Sequence, residues 1–279
     1  MRVTNVYFIM KILLTVIVLL GCLWSVQAQQ PLHDITERKL RVQAPVLSPA
    51  PIREADIFWE KRVWREVDLR EKQNLPLSYP ERPFVRILFD RIKELGAEAA
   101  IYSPEDDGMR LPMPVEELEN LLYRRDTVYV VDPETQQIST QIVHSTLGDD
   151  AVLKIRLHEL WYFDQKTSSL HCQLLGIAPV QRVYGENGEL RMERPLCWIA
   201  YRPIRDYLST QSVFVAENDR ERWSWTQWLD SRQFSGRIYK VRNVGGDRLQ
   251  DQYSGTERLL ESEKLDRELQ NFEMDLWSY

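Results

Sequence analysis

The chain has 279 residues, 43% of them apolar and 28% charged, with 36 lysines and arginines against 42 aspartates and glutamates for a formal net charge of −6. That composition excludes an intrinsically disordered chain, and a chain of this length buries a core large enough to need neither metal nor a disulfide framework. The acidic balance excludes nucleic acid as a main partner, because binding it depends on lysine and arginine neutralising phosphates; three cysteines and four histidines leave little material for a metal or cofactor site, and none is expected.

Residues 1–28 have the order of an export signal. Lys11 precedes a run from Ile12 to Leu20 that is apolar except for Thr15, and small and polar residues follow up to Val26-Gln27-Ala28, so cleavage is expected after Ala28. Met10, directly before Lys11, is a second candidate start. The apolar stretch is shorter than the ~20 residues a bilayer-spanning helix needs. Leu19-Leu20-Gly21-Cys22 also resembles a lipoprotein cleavage site with Cys22 as the lipidated residue, although a better site follows at Ala28. Cleavage removes Arg2 and Lys11 and no acid, so the exported chain is more acidic still. Residues 29–52 are polar with prolines at 31, 45, 49 and 51 and no sustained apolar period, which reads as an extended tether.

A single α+β domain is expected over residues 53–279. From Ala55 to Val67, the residues Ile57, Phe58, Val63, Trp64 and Val67 fall at mixed three- and four-residue spacings, which predicts an amphipathic helix. A second helix is predicted from Pro83 to Leu95, with Phe84, Ile87, Leu88, Ile92 and Leu95 on one stripe and Gly96 as its stop. A strand near Ala99–Tyr102 and a short helix from Val115 to Arg124 follow. The period then changes. Thr127–Val131, Ile138–Val143, Val152–Phe163, Leu170–Ala178, Arg182–Tyr184, Leu190–Met192 and Leu196–Tyr201 read as strands, the first two separated by the turn Asp132-Pro133-Glu134-Thr135. Short runs joined by tight turns imply mostly antiparallel pairing. Asn218 or Asp219 is placed to cap a helix running to about Phe234. A strand from Arg237 to Val241 precedes a final helix from about Thr256 to Trp277, whose Leu265, Leu269, Phe272 and Leu276 make one apolar seam. The predicted architecture is therefore a mostly antiparallel central sheet flanked by N-terminal helices and a C-terminal amphipathic helix.

Motifs for chemistry are sparse. His158-Glu159 lacks a second histidine at helical spacing, and strand alternation sends the two side chains to opposite faces. The glycines fit neither a phosphate loop nor a dinucleotide fingerprint, and no Gly-x-Ser-x-Gly elbow is present. The carboxylate pairs Asp106-Asp107, Asp149-Asp150 and Glu116-Glu117 sit in predicted loops or at a helix start, where hydration and the helix dipole account for them. Cys172 and Cys197 lie in strand-like runs about equally far from the turn Gly185-Glu186-Asn187-Gly188. They are either partners across one hairpin or two small buried hydrophobes.

The unusual feature is aromatic. Beyond residue 28 the chain holds eight tryptophans, and Trp223, Trp225 and Trp228 fall within six residues. In Trp59-Glu60-Lys61-Arg62-Val63-Trp64-Arg65, cationic and aromatic residues interleave. A tryptophan-rich core explains both clusters. The alternative is anchoring of another subunit, because tryptophan, tyrosine and arginine dominate binding hot spots; on that reading Trp59, Arg62, Trp64, Arg65, Trp223, Trp225 and Trp228 are the candidate contacts. A platform for glycan or peptidoglycan would also use exposed tryptophan.

The order of short motifs resembles the GldN/PorN family of the Bacteroidota type IX secretion and gliding machinery. Lys61-Arg62-Val63-Trp64-Arg65 followed by Asp68-Leu69-Arg70-Glu71-Lys72-Gln73-Asn74 is similar to its N-terminal signature. Trp161-Tyr162-Phe163-Asp164 with Leu175-Gly176-Ile177-Ala178-Pro179 is similar to its central one. Pro195-Leu196-Cys197-Trp198, Asn218-Asp219, Leu260-Glu261-Ser262-Glu263-Lys264 and Asn271-Phe272-Glu273-Met274-Asp275-Leu276-Trp277 complete the series. Cys197 stands where relatives are expected to carry an aromatic residue, and Arg202–Phe214 matches less clearly. The resemblance implies a non-enzymatic periplasmic subunit at the inner side of the outer membrane. It implies assembly with a GldK/PorK-like outer-membrane lipoprotein into a ring, with self-association, and contact with a GldM/PorM-like inner-membrane protein. It brings no catalytic residues.

Overall fold

A computed structural model of the chain describes residues 52–131, 138–146, 151–185, 187, 189–215 and 223–277. The leader with Cys22 and Ala28, nearly all of the tether, the Asp132–Thr135 turn, Asp149-Asp150 and the Asn218/Asp219 cap lie outside the described residues.

The strands in chain order are β1 (Ile57–Asp68), β2 (Ile101–Tyr102), β3 (Tyr123–Val131), β4 (Ile138–Thr146), β5 (Val152–Asp164), β6 (Ser169–Tyr184), β7 (Leu190–Pro195), β8 (Trp198–Ala200) and β9 (Arg237–Val241). The helices are α1 (Phe84–Leu95), α2 (Val115–Leu122), α3 (Tyr201–Thr210), α4 (Trp225–Asp230), α5 (Leu249–Gln252) and α6 (Gly255–Trp277). Seven strands form one sheet in the order β2-β8-β6-β5-β1-β9, with β7 also paired to β6, and β3-β4 form a separate two-stranded sheet. Every pairing is antiparallel. The expected α+β architecture with a closing C-terminal helix is what the chain adopts.

Alternation divides the sheet into two faces. Val67, Ile155, Leu157, Ile177 and Ile199 pack in one core with Phe84, Ile87 and Leu88 of α1, Ile204 and Leu208 of α3, and Trp225 and Trp228 of α4. Further along the same face, Val63 and Ile238 receive Leu269 of α6. On the opposite face Trp64, Ala178 and Trp198 form a smaller cluster with Tyr102, Met109 and Tyr239.

The predicted helix over Ala55–Val67 is instead β1, a central strand between β5 and β9. A strand covered on both faces carries apolar residues on both, so Val63 and Val67 face one core while Trp64 faces the other, and the mixture mimics a helical period. The Leu170–Ala178 and Arg182–Tyr184 strands are one continuous β6. The Leu196–Tyr201 strand stops at Ala200, because Tyr201 opens α3 and buries its ring against the α1 core. The helix expected up to Phe234 ends at Asp230 and is capped by Ser224, whose Oγ accepts from Gln227 N at 3.2 Å while Gln227 Oε1 accepts from Ser224 N at 3.1 Å. This reciprocal pair is a capping box, written in the sequence as Ser-x-x-Gln.

The two cysteines are free. Val180 pairs with Pro195 in the β6-β7 hairpin, and Leu196 N donates to Pro179 O, which puts Cys197 near Pro179. Cys172 lies farther down β6 by roughly 23 Å at the usual rise per residue, too far for a bridge. Cys197 is buried as a small hydrophobe, and burial pushes its thiol up to about 12.

Candidate functional site

Three sites assemble the residues that the sequence offers for chemistry or contact. The first is a buried charge network under α6. Arg65 of β1 donates from Nη2 to Asp266 Oδ1 of α6 at 2.6 Å and from Nη1 to Gly236 O at 2.8 Å, with its Nε 3.4 Å from Glu159 Oε1. Glu159, only 1% exposed, also accepts from Arg232 Nη1 at 2.7 Å and from Trp161 Nε1 at 3.0 Å. Burial opposes charge on Arg65, but Glu159 and Asp266 together hold its guanidinium above the ordinary arginine range. Arg232 adopts a positive φ of 53°, a conformation disfavoured for a non-glycine residue, and stacks 4.9 Å from the Trp161 ring. Cys172 Sγ, 3.3 Å from Arg232 Nη1, is pushed up to about 12 by burial and then by Glu159. A thiol so protonated is no nucleophile at neutral pH. The arrangement fastens α6 to the sheet.

The second site is on the other face. Trp64 lies directly opposite His158 across β1 and β5, and their rings stack at 4.4 Å and 12°. The loop after β2 closes over them: Trp64 Nε1 donates to Asp107 O at 2.9 Å, and Asp107 Oδ2 accepts from Lys240 at 3.3 Å and Arg248 at 3.2 Å. Asp106 organises that loop, accepting from Arg110 N at 2.7 Å and Gly108 N at 3.0 Å. Burial opposes its ionisation, yet the bonds from Arg110 and Gly108 bring its carboxyl down to about 2. Asp106 and Asp107 are both buried, unlike the hydrated pair the sequence suggested. Both His158 ring nitrogens are buried without a hydrogen-bond partner among the described residues. Burial, and then Arg62, bring this imidazole down to about 4, so it is neutral at physiological pH. Gly176 faces it across the strand pair, and a Cβ there would collide with Met109 Sδ.

The third site is open. The turn over Lys72–Ser78, which is 3₁₀-helical, is pinned to the end of β1: Asn74 Nδ2 donates to Asp68 O at 2.8 Å and Ser78 Oγ to Leu69 O at 3.1 Å. Leu75, Pro76, Tyr79 and Pro80 form one wall of a groove of about 860 Å³, and Phe214, Val215, Trp223 and Trp228 form the other. Tyr79 and Phe214 stack across it at 4.2 Å and 14°. Among the described residues that line it, Lys72 is the one that carries charge. Such a surface can take an apolar, extended ligand.

The predicted contact residues thus separate. Trp64, Arg65, Trp225 and Trp228 are buried within the chain itself, which corrects their reading as exposed anchors. Trp225 packs against Phe84 and Trp228, and Arg65 is held in the charge network. Trp59 is half-buried against Phe272 of α6, with ring centroids 4.5 Å apart. Arg62 is half-buried, its Nε enclosed without a partner among the described residues. Trp223, half-exposed, and the edge of Trp228 reach the open groove, and there they meet Tyr79 and Phe214. Those two partners are far apart in the chain, so no local pattern marks them. Among the described residues no cluster of three or more histidine, cysteine or acidic side chains could hold a metal.

The profile of a family described as gliding motility associated protein GldN matches residues 52–278. This chain belongs to the GldN family. No curated protein matches it.

Proposed function

We propose that the chain is a non-enzymatic structural subunit of the type IX secretion and gliding machinery. On this reading it resides in the periplasm at the inner side of the outer membrane. It forms a ring with a GldK/PorK-like lipoprotein and links to a GldM/PorM-like inner-membrane protein. The observation that carries the reading is membership of a gliding motility associated family over residues 52–278. The site geometry supports a structural role: Arg65, Glu159, Arg232 and Asp107 fasten loops and a helix, and the accessible groove is lined mainly by apolar and aromatic side chains. The test is an affinity pull-down of the tagged chain from solubilised envelope, with co-purifying proteins identified by mass. Recovery of the lipoprotein in comparable amount, with the inner-membrane protein beside it, is the expected result. A chain that elutes as a monomer with no envelope partner overturns the reading.

A further inference from the structure

The groove between Tyr79 and Trp223 has the chemistry of a proline-binding surface. Its rings include Tyr79 and Phe214, stacked on each other so that their outer faces and edges are what remains open, with Trp223 and the edge of Trp228 beside them, and its exposed lining includes Leu75 at 53% and Phe214 at 43%. Aromatic grooves of this kind take extended proline-rich segments, which lie flat on the rings and lose little entropy because proline already fixes the backbone. The chain carries such a segment in Val42-Gln43-Ala44-Pro45-Val46-Leu47-Ser48-Pro49-Ala50-Pro51, which has three prolines and no charge. An uncharged, proline-spaced sequence matches a lining in which Lys72 alone among the described residues is charged.

Reach decides whose segment this is. Asp56 lies at the β5-β6 turn, its carbonyl accepting from Gln165 N at 2.9 Å, whereas the groove wall is anchored at the opposite end of β1 by Asn74. β1 spans roughly 36 Å between those ends. The tight turn that bonds Asp56 N to Arg53 O at 2.9 Å keeps Arg53 within about 7 Å of Asp56. From Ile52, a polyproline stretch back to Pro45 covers only about 22 Å. Pro45 therefore barely approaches the wall of its own groove, and Pro49 and Pro51 fall well short of it. A neighbouring copy has no such limit.

We propose that residues 42–51 of one copy seat in the Tyr79–Trp223 groove of the next, joining adjacent copies head to tail. This rests on the assembly reading only in that copies must lie side by side. The test uses the exported chain, residues 29–279. Two single variants, Ala50→Cys and Gln73→Cys, are mixed and treated with a bis-maleimide of about 10 Å reach; the native thiols are buried or held protonated, and unsubstituted protein is the control. A cross-linked dimer containing one of each variant is expected, and an excess of unlabelled peptide 42–51 should suppress it. A chain carrying both substitutions that links only within the monomer overturns the proposal, as does the absence of any link. A fluorescein-labelled peptide 42–51 should bind the exported chain saturably. Its affinity should fall at least tenfold on replacing its three prolines with alanine, a change that cannot unfold the protein, and likewise on Trp223→Ala. Equal binding by the alanine peptide overturns the proposal. Failure here with intact recovery of envelope partners leaves the scaffold reading standing.

Discussion

Trp64 and Trp223 lie over opposite faces of the same sheet and meet water in opposite ways. Trp64 is 5% exposed, stacked on His158 and tied through its ring nitrogen to Asp107 O beneath a loop that two cations clamp. Trp223 leans on the helical core from outside and leaves part of its ring on the wall of a groove. Two tryptophans in equally aromatic sequence neighbourhoods thus have different tasks. What separates them is whether a distant loop supplies a cover, and that is a property of the fold.

The largest expected effect is at the covered site. Trp64→Ala removes a buried ring and its hydrogen bond and should lower stability by about 4 kcal/mol in urea unfolding; a loss below about 1 kcal/mol would show that the loop collapses onto the gap and that the two sites differ less than described. The pH dependence comes next. His158 titrates near 4 in the folded chain against 6.5 for an ordinary histidine, so the unfolded chain binds more protons as pH falls through 6.5. The stability from keeping it neutral is present above pH 6.5 and is lost on acidification towards 4, by about 2.5 kcal/mol at pH 4.5. The charges that act on it, Arg62, Lys240 and Asp107 on its own face and Glu159 on the other, stay in place in a His158→Phe variant, which should retain the stack on Trp64 and flatten the melting temperature between pH 6.5 and 4.5. Ser224→Ala deletes the cap of α4 and should cost about 1 kcal/mol, loosening the base on which the groove tryptophans stand. The smallest change in stability is expected for Trp223→Ala, about 0.5 kcal/mol, measured by the same unfolding curve. A cost near that of Trp64→Ala would make Trp223 a core residue and erase the contrast.

Elements that meet one environment along their length were legible in the sequence. α1 shows a single stripe and a glycine stop, realised as Gly96 at φ 52°; the seam of α6 through Leu265, Leu269 and Phe272 and the long run of β5 read equally well, whereas β6 read as two shorter strands. β1 did not read as a strand, because Phe58 and Trp64 interrupt the face that carries Glu60, Arg62, Glu66 and Asp68, while Arg65 occupies an inward position through its ion pairs. Ser224 could have been read from its glutamine three residues on, and the more polar Asn218-Asp219 drew the cap upstream. The covered site was illegible for a different reason. Asp107 finds Lys240 and Arg248 more than 130 residues away, and no local spacing encodes such a meeting. The groove likewise joins Tyr79 to Phe214 and Trp223, so the sequence offered the tryptophans without their setting.

The way α6 is attached has a mechanical corollary. Among the described residues it meets the sheet through side chains: Asp266 on Arg65, Phe272 on Trp59, and Leu269 between Val63 and Ile238. β1, by contrast, is bonded along both edges by ladders of backbone hydrogen bonds. A pull on the C-terminus would peel α6 away one contact at a time at low force, whereas sliding β1 out would have to shear many bonds together. Under such a load the helix is the fuse and the sheet the stiff plate.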